Sequence, residues 1–593
     1  MTPSPRPLYL GAGPDAAFAT FHPAAGDGAP DVAVLLCPPF GWDEVCSYRP
    51  RRAWAKHLAQ QGRPALRLQL PGTGDAAGSP YDPRRVEAWT AAVADAAAWL
   101  AQETGAARVA AIGIGLGGLL ACRAQRGGAP LDELVLWGVP PKGKALVREL
   151  RAFARLEVAE APDGPRPEPE GTLISGGFAL SAETLAALQA VDFTLPSDAP
   201  APRRVLLLGR DGVGTDALRD PFAAAGAQVS EDAGDGYGEM LAKPDDARAP
   251  VATFARVDAW LAEGDAAAPA AGAAPAADRR APEATDELEL TAGEALVRER
   301  PVQLATAGGA LTAVIALPED ADPRDAGLCA VLLNAGAVRR IGPNRLWVEI
   351  ARRWAARGVP TVRLDFAGIG DADGDDTAWS ATEMFYDPTT LAQLIGALDR
   401  LQEQGLGDRF VVSGLCSGGY WALQGALADD RVVAALPVNP GALVWDAALI
   451  VERDARKLRK LARPHIWRKI LRGGFAPRDA WAVVRALLAR TLAGATPATH
   501  GARVDALLDE LAARGKRVDL VLTADEPVRH ELERDGQLQR LARWPQTTVE
   551  LLPGTVRAHT LRPTQLQAAV PALLDRALER ELREAAAGRA ATR

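Results

Sequence analysis

Apolar residues fall along this chain in two rhythms, and the alternation between them comes round twice. Short apolar runs recur at Leu131–Gly138 (LDELVLWG), Arg203–Gly209 (RRVLLLG), Arg431–Val438 (RVVAALPV) and Lys516–Thr523 (KRVDLVLT). Their length and their leucine and valine content predict buried strands. Between such runs lie stretches like Arg345–Gly358 (RLWVEIARRWAARG), apolar at three- and four-residue spacing, which predict amphipathic helices. Strands alternating with helices predict an α/β fold: a mostly parallel sheet with helices on both faces.

The pattern is duplicated. Gly62–Gly78 reads GRPALRLQLPGTGDAAG and Gly358–Gly374 reads GVPTVRLDFAGIGDADG, each a short strand running into a G-x-G-D turn. Ahead of these stand DVAVLLCPPFG (Asp31–Gly41) and GLCAVLLNAGAVRRIG (Gly327–Gly342), each a strand followed by a small-residue loop. An internal repeat on this scale predicts two copies of one architecture in tandem. The Ala/Pro-rich stretch around Leu261–Leu290 buries little apolar surface and reads as the tether. The expected domains are residues 1–262 and 289–593, with a linker over 263–288. The second domain carries a polar, mostly helical insertion over about 444–513, which reads as a cap. Its segment RDARKLRKLARPHIWRKILRGG (Arg453–Gly474) has a basic face, and Trp445, Trp467 and Trp481 are candidates to line or pack it.

Composition narrows the class. A chain of 593 residues exceeds one comfortable core. The net charge of −8 argues against nucleic-acid binding, where a basic footprint is expected. No apolar run reaches membrane-spanning length, and the N-terminus lacks the basic-then-apolar pattern of a signal peptide. Five scattered cysteines, Cys37, Cys46, Cys122, Cys329 and Cys416, fit neither a disulfide framework nor metal-ligand spacing. The expectation is a cytoplasmic bacterial protein that needs no metal or organic cofactor.

The chemistry concentrates in VVSGLCSGGY (Val411–Tyr420). A residue framed by glycines at a strand end is projected from a sharp turn, and Cys416 is the residue so framed. The backbone N–H of Ser417 would form one side of an oxyanion hole. The second donor is expected from the loop NAGAV (Asn334–Val338), with Ala337 the candidate. Of six histidines, His559 alone falls in a loop near the end of the second half, between a strand and a helix. The orienting acid should follow the strand KRVDLVL, where Asp525 and Glu526 are adjacent. Alignment with the first half favours Asp525, opposite Asp211, while the proline after Glu526 favours Glu526. Of the two, Glu526 is preferred. The order nucleophile, acid, histidine is that of the α/β-hydrolase fold.

The first half departs at each of these points. AAIGIGLGGLL (Ala110–Leu120) puts Gly115 at the nucleophile position, and no histidine occurs in Glu231–Pro250. The first half is therefore expected to be non-catalytic. Its stretch CPPFGWDEVCSYRPRR (Cys37–Arg52) reads as a loop, either held by pairing among Asp43, Glu44 and Arg49 or binding a ligand or the other domain.

From about Pro301 onward the chain resembles the α/β-hydrolase superfamily, in its serine aminopeptidase/lysophospholipase-like branch. Cys416, Glu526 or Asp525, and His559 match that family's triad. The first half resembles the same fold, near the short-chain acyl-ester hydrolases found beside bacterial polysaccharide and secondary-metabolite gene sets. A cysteine at the elbow is similar to dienelactone hydrolases and to the G-x-C-x-G-G box of polyhydroxyalkanoate synthases, although the tandem layout is unlike the latter. The resemblance implies a thioacyl-enzyme acting on a small-molecule ester or thioester, with an acyl carrier protein as a candidate partner. The competing expectation is a scaffolding or binding protein built from decayed hydrolase domains.

Overall fold

The structure is a computed structural model and describes residues 4–25, 30–158, 167–193, 201–210, 215–266, 280–319, 327–375, 379, 382–445, 497–552 and 558–592. Two nine-stranded sheets organise it. The first contains β1 (Arg6–Leu10), β2 (Ala17–His22), β3 (Val32–Cys37), β4 (Ala65–Gln69), β5 (Arg108–Ile114) and β6 (Glu133–Trp137). A small hairpin, β7 (Leu173–Ser175) and β8 (Phe178–Leu180), stands apart. The sheet resumes with β9 (Arg204–Leu208), β10 (Gln228–Asp232) and β11 (Ala284–Thr285). The second sheet contains β12 (Leu288–Ala292), β13 (Ala295–Thr306), β14 (Gly309–Pro318), β15 (Cys329–Leu333) and β16 (Thr361–Asp365). It continues with β17 (Phe410–Leu415), β18 (Val432–Val438), β19 (Arg517–Thr523) and β20 (Thr547–Leu552).

The strand orders are β10-β9-β6-β5-β3-β4-β2-β1-β11 and β12-β13-β14-β16-β15-β17-β18-β19-β20. Apart from the added edge strands β11 and β12 these are one topology, with β3 and β15 as the corresponding central strands. Registers agree as well: Cys37 lies opposite Gly113 in the first sheet, and Leu333 opposite Gly414 in the second. The central strands are parallel and buried on both faces, so they read as continuous apolar runs such as VAVLLC and CAVLL.

The tether expected over 263–288 lies partly outside the described residues. Its described ends are a helix that runs through Ala266 and strand β11, where Thr285 pairs with Tyr9 of β1. Most of the expected cap, with Trp467 and Trp481, also lies outside the described residues, while Pro497–Ala513 is a helix. The stretch read as a loop at Cys37–Arg52 is mostly helix, Trp42–Gln60, with Pro50 inside it. Proline obscured the helical pattern; the buried Ser47 and Arg51 pair within the helix, but Glu44 and Tyr48 face partners, Arg339 and Asp371, that a local reading cannot supply.

Those partners are in the other half. Asp75 and Asp371 end the two G-x-G-D turns, and Arg67 and Arg363 are the middle residues of the two preceding strands. Arg363 donates to Asp75 and Arg67 donates to Asp371, so each pair joins the halves and the two pairs exchange under a pseudo-twofold. Arg340 sits between them, with ion pairs to Asp75 at 2.9 Å, Asp365 at 2.7 Å and Asp371 at 3.0 Å. Arg352 donates to the Ala76 carbonyl and Arg52 to the matching Ala372 carbonyl. Burial alone would raise the Asp371 carboxyl, but Arg67 and Arg340 hold it well below its ordinary range. Around this polar centre one apolar cluster draws on both halves, with Tyr9, Phe18 and Ala76 beside Trp347, Ile350 and Trp354.

Candidate active site

Strand β17 delivers Cys416 into a turn with φ 58 and ψ −118, and the helix Ser417–Ala428 begins immediately after it. That conformation is strained for a residue with a side chain. It is possible here because the flanking residues are glycine: a Cβ on Gly414 would meet Gly418 backbone at 2.3 Å, and one on Gly418 would meet the Asn334 carbonyl at 2.4 Å. The thiol is partly exposed, whereas the other four cysteines are buried. Burial pushes the Cys37 and Cys122 thiols up to about 12, and those of Cys46 and Cys329 higher still.

His559 sits on a short helical turn, Ala558–Thr560, beyond β20. Its Nδ1 is 2.7 Å from Glu526 Oε1, and its ring also hydrogen-bonds the Cys416 thiol. Burial would lower the imidazole, but the Cys416 and Glu526 interactions outweigh it and hold its pKa well above the ordinary 6.5. Glu526 is 2% exposed and caps the helix Pro527–Arg534, while Asp525 faces solvent. Of the two adjacent acids, then, it is Glu526 that touches the histidine. Asn439, on the loop after β18, joins the pieces: its side chain accepts from Thr523 N–H at 2.9 Å and donates to the His559 carbonyl at 3.3 Å. Nothing in the sequence pattern singled it out.

The loop after β15 lies against the elbow. Gly336 N–H donates to Ser417 Oγ at 3.1 Å, and Ser417 is the first residue of its helix, where backbone N–H groups have no intrahelical partner. The N–H of Ala337 is engaged by the carboxylate of Asp245, a residue of the first half. Ala337 is thus near the elbow but committed elsewhere.

Aromatic rings wall the other side of the thiol. A Cβ added at Gly441 would lie 3.6 Å from Cys416 Sγ and 2.1 Å from the Tyr386 hydroxyl, so thiol and phenol face one point. Tyr386 stacks on Trp445 at 3.7 Å and packs edge-on against Tyr420 at 5.1 Å.

The first half reproduces the frame without the groups. Gly115 holds φ 52 and ψ −114. The loop after β3 begins Pro38–Pro39, which carry no N–H, and Pro39 lies nearest to Gly115. The only histidines among 1–262 are His22 on β2 and His57 on a helix, paired with Arg67 and Asp258 respectively. Asp211 lies outside the described residues. Of the second half's other histidines, His500 is buried, His530 is exposed and His465 is outside the described residues. Among the described residues no group of three His, Cys, Asp or Glu side chains could hold a metal ion. No described helix is long and apolar enough to cross a membrane.

Residues 330–569 match the alpha/beta hydrolase family, a span running from β15 into the C-terminal helix. That span contains the elbow at Cys416, Glu526 and His559. Among solved structures, similarity extends to the esterase Pf2001 from Pyrococcus furiosus, at 14% identity and a TM-score of 0.31 over 47% of this chain and 92% of that one. Est1E from Butyrivibrio proteoclasticus, solved with ferulic acid, is 15% identical with a TM-score of 0.29, covering 46% of this chain and 97% of its own. XC6422 from Xanthomonas campestris, described as a serine hydrolase without a lid, is 14% identical with a TM-score of 0.28 over 47% and 94%. No curated protein matches the chain.

Proposed function

We propose that the second half is an acyl-transfer enzyme that works through a thioacyl intermediate on Cys416. The observation that carries this reading is the His559 ring, bonded on one side to the Cys416 thiol and on the other to the buried Glu526. The ring takes the thiol proton, and Glu526 fixes its tautomer and steadies the imidazolium. The Cys416 sulfur adds to the carbonyl carbon of an ester or thioester. The resulting oxyanion is met by the Ser417 N–H and by the loop after β15. Within that loop the candidate donors are the N–H groups of Ala337 and Gly336, each of which turns to the oxyanion from its present acceptor, Asp245 and Ser417 Oγ respectively. Collapse breaks the bond to the leaving alcohol or thiol, which takes the proton from His559. Water, an amine, an alcohol or a thiol then attacks the acyl-cysteine and restores the free thiol.

The Tyr386–Trp445 stack and Tyr420 favour an acyl group with a flat or apolar body beside the thiol. An acyl carrier protein is a candidate donor, and the first half serves as a non-catalytic partner whose Asp245 shapes the loop after β15. Small acyl thioesters and p-nitrophenyl esters are the test, read by intact-protein mass and product release. A mass gain that vanishes in Cys416→Ala, and that persists without turnover in His559→Ala, is expected. An adduct that survives Cys416→Ala, or a panel that leaves both the mass and the thiol's reactivity toward alkylating probes unchanged, overturns the reading in favour of a scaffolding role.

A further inference from the structure

Two cavities lie between the halves at places related by the pseudo-twofold. One, about 20 Å³, is bounded by Tyr48 and Arg49 of the first half and by Gly368 and Ile369 of the second. The other, about 290 Å³, is bounded by the counterparts of those residues: Gly72 and Thr73 of the first half, and Asn344 and Arg345 of the second. The first volume is about that of a single water, and the second approaches that of small-molecule sites. The place is nearly filled on one side of the joint and open on the other.

The open cavity has a consistent lining. Phe40, Trp89 and Phe178 form an aromatic wall, with ring centroids 6.2 Å apart for Phe40–Trp89 and 6.5 Å for Phe40–Phe178. The hairpin β7–β8 adds Ile174 and Ala179, which are cross-strand partners and so present the same face. Opposite stand the amides of Asn344 and Gln567. Arg345 offers no free charge: its guanidinium donates to the carbonyls of Gly74, Ala76 and Gly78 and to Glu349. Glu349, half exposed, also borders the cavity and disfavours an anion there.

The two amides also reach the second half's site. Asn344 donates to the carbonyls of Leu561 at 2.9 Å and Thr560 at 3.4 Å. Gln567 donates to the carbonyl of Arg562 at 3.0 Å and across the halves to Gly177 at 3.1 Å. The three carbonyls so held are those of the residues directly after His559.

We propose that this cavity binds a compact neutral molecule with an aryl or short-chain body and one hydroxyl or amide N–H end, which donates to the side-chain oxygens of Asn344 and Gln567, their own N–H groups being committed. The body seats on Phe40, Trp89 and Phe178, and the polar end lies at Asn344 and Gln567. Occupancy tightens the segment Thr560–Arg562 and thereby steadies His559. The binding stands independently of the acyl-transfer reading, and only its consequence for His559 rests on that reading.

The test uses the full chain carrying Cys416→Ala, so that no probe can acylate it. Calorimetry with methyl 4-hydroxybenzoate is expected to give one site with a Kd on the order of 0.1–1 mM, as its size allows. The carboxylate 4-hydroxybenzoate binds at least about tenfold more weakly, because Arg345 is already committed and Glu349 repels it. Ala179→Phe, which fills the cavity from the hairpin, weakens the ester at least about tenfold with an unchanged melting temperature. If that variant melts early, Ile174→Trp across the hairpin takes its place. Hydrogen exchange at Thr560–Arg562 slows when the ester is bound. Absence of binding, or equal binding by the filled variants, overturns the site, and binding without slowed exchange overturns the link to His559.

Discussion

Gly115 and Cys416 hold the same backbone conformation, φ 52 and ψ −114 against φ 58 and ψ −118, and each donates its N–H to the strand beside it, at Trp137 and Val438. The turn belongs to the fold and not to the reaction, since it persists where the side chain is gone. A side chain at such a φ carries a standing cost, and glycine does not. Cys416→Gly is therefore expected to stabilise the chain by about 1 kcal/mol while abolishing any acyl adduct. Gly115→Cys should destabilise by a similar amount and gain no adduct, because no histidine faces it and Pro38 and Pro39 offer no donors. Urea midpoints and intact mass on both variants check this. Destabilisation by Cys416→Gly would show that the thiol's contacts outweigh the strain.

The cysteines themselves offer a second test. Cys37, Cys46, Cys122 and Cys329 are buried with thiols pushed well up, while Cys416 is partly exposed beside the His559 imidazole, whose pKa is held above its ordinary value. A small alkylating reagent at neutral pH should modify the native chain once, at Cys416. Peptide mapping reads the site, and His559→Ala should slow the labelling at least about tenfold. Labelling spread over the buried cysteines would mean that the chain opens on the timescale of the experiment.

Glu526 and Asp525 are neighbours in sequence with opposite surroundings. Glu526→Gln removes the negative charge facing His559 Nδ1 and lets an amide group compete for either tautomer, and it should lower the acylation rate by about 10²-fold or more. Asp525→Asn, at a solvent-facing position, should change it less than about twofold. A stopped-flow comparison with one thioester distinguishes them, and a large loss in Asp525→Asn would reassign the acid.

The raised pKa of His559 also carries a sign. The imidazolium is favoured in the folded chain over the unfolded one, so its contribution to stability is full below about 6.5 and fades as pH rises through the folded value. Removing the Glu526 charge lessens that contribution. The difference in unfolding free energy between the parent and Glu526→Gln should be largest near pH 6 and shrink toward pH 10. A difference that grows with pH would mean His559 is neutral in the folded state.

How much of this was legible in the sequence depends on the range of the interaction concerned. The elbow is local: glycines around Cys416 and around Gly115 set the turn in six residues, and the repeat of strand, turn and elbow gave both sheets their order. His559 was reachable by its place beyond the last strand. The acid was narrower, because Asp525 and Glu526 differ by one residue and only the start of the helix at Pro527 turns Glu526 inward. Ala337 was placed near the elbow by the loop's position, but its N–H is taken by Asp245, nearly a hundred positions away in the other half. Helix Trp42–Gln60 was missed for the same kind of reason, since its polar face is buried by partners from beyond the tether. Those partners were nevertheless printed in the repeat: an arginine and an aspartate stand at the same place in RLQLPGTGD and RLDFAGIGD.

That repetition makes the joint between the halves testable. Asp75→Ala leaves Arg363 and Arg340 buried and short of a counter-charge, and Asp371→Ala does the same to Arg67 and Arg340. Each should cost about 3–5 kcal/mol, and the two costs should be similar because the pairs exchange under the pseudo-twofold. Swapping one pair, Asp75→Arg with Arg363→Asp, should not rescue stability. Arg340 lies 2.9 Å from Asp75, so the swap sets two buried guanidiniums against each other. Urea unfolding of the singles and the swap measures this. Recovery to within about 1 kcal/mol of the parent would mean that the pair acts alone, and that Arg340 does not bind the two arms into one network.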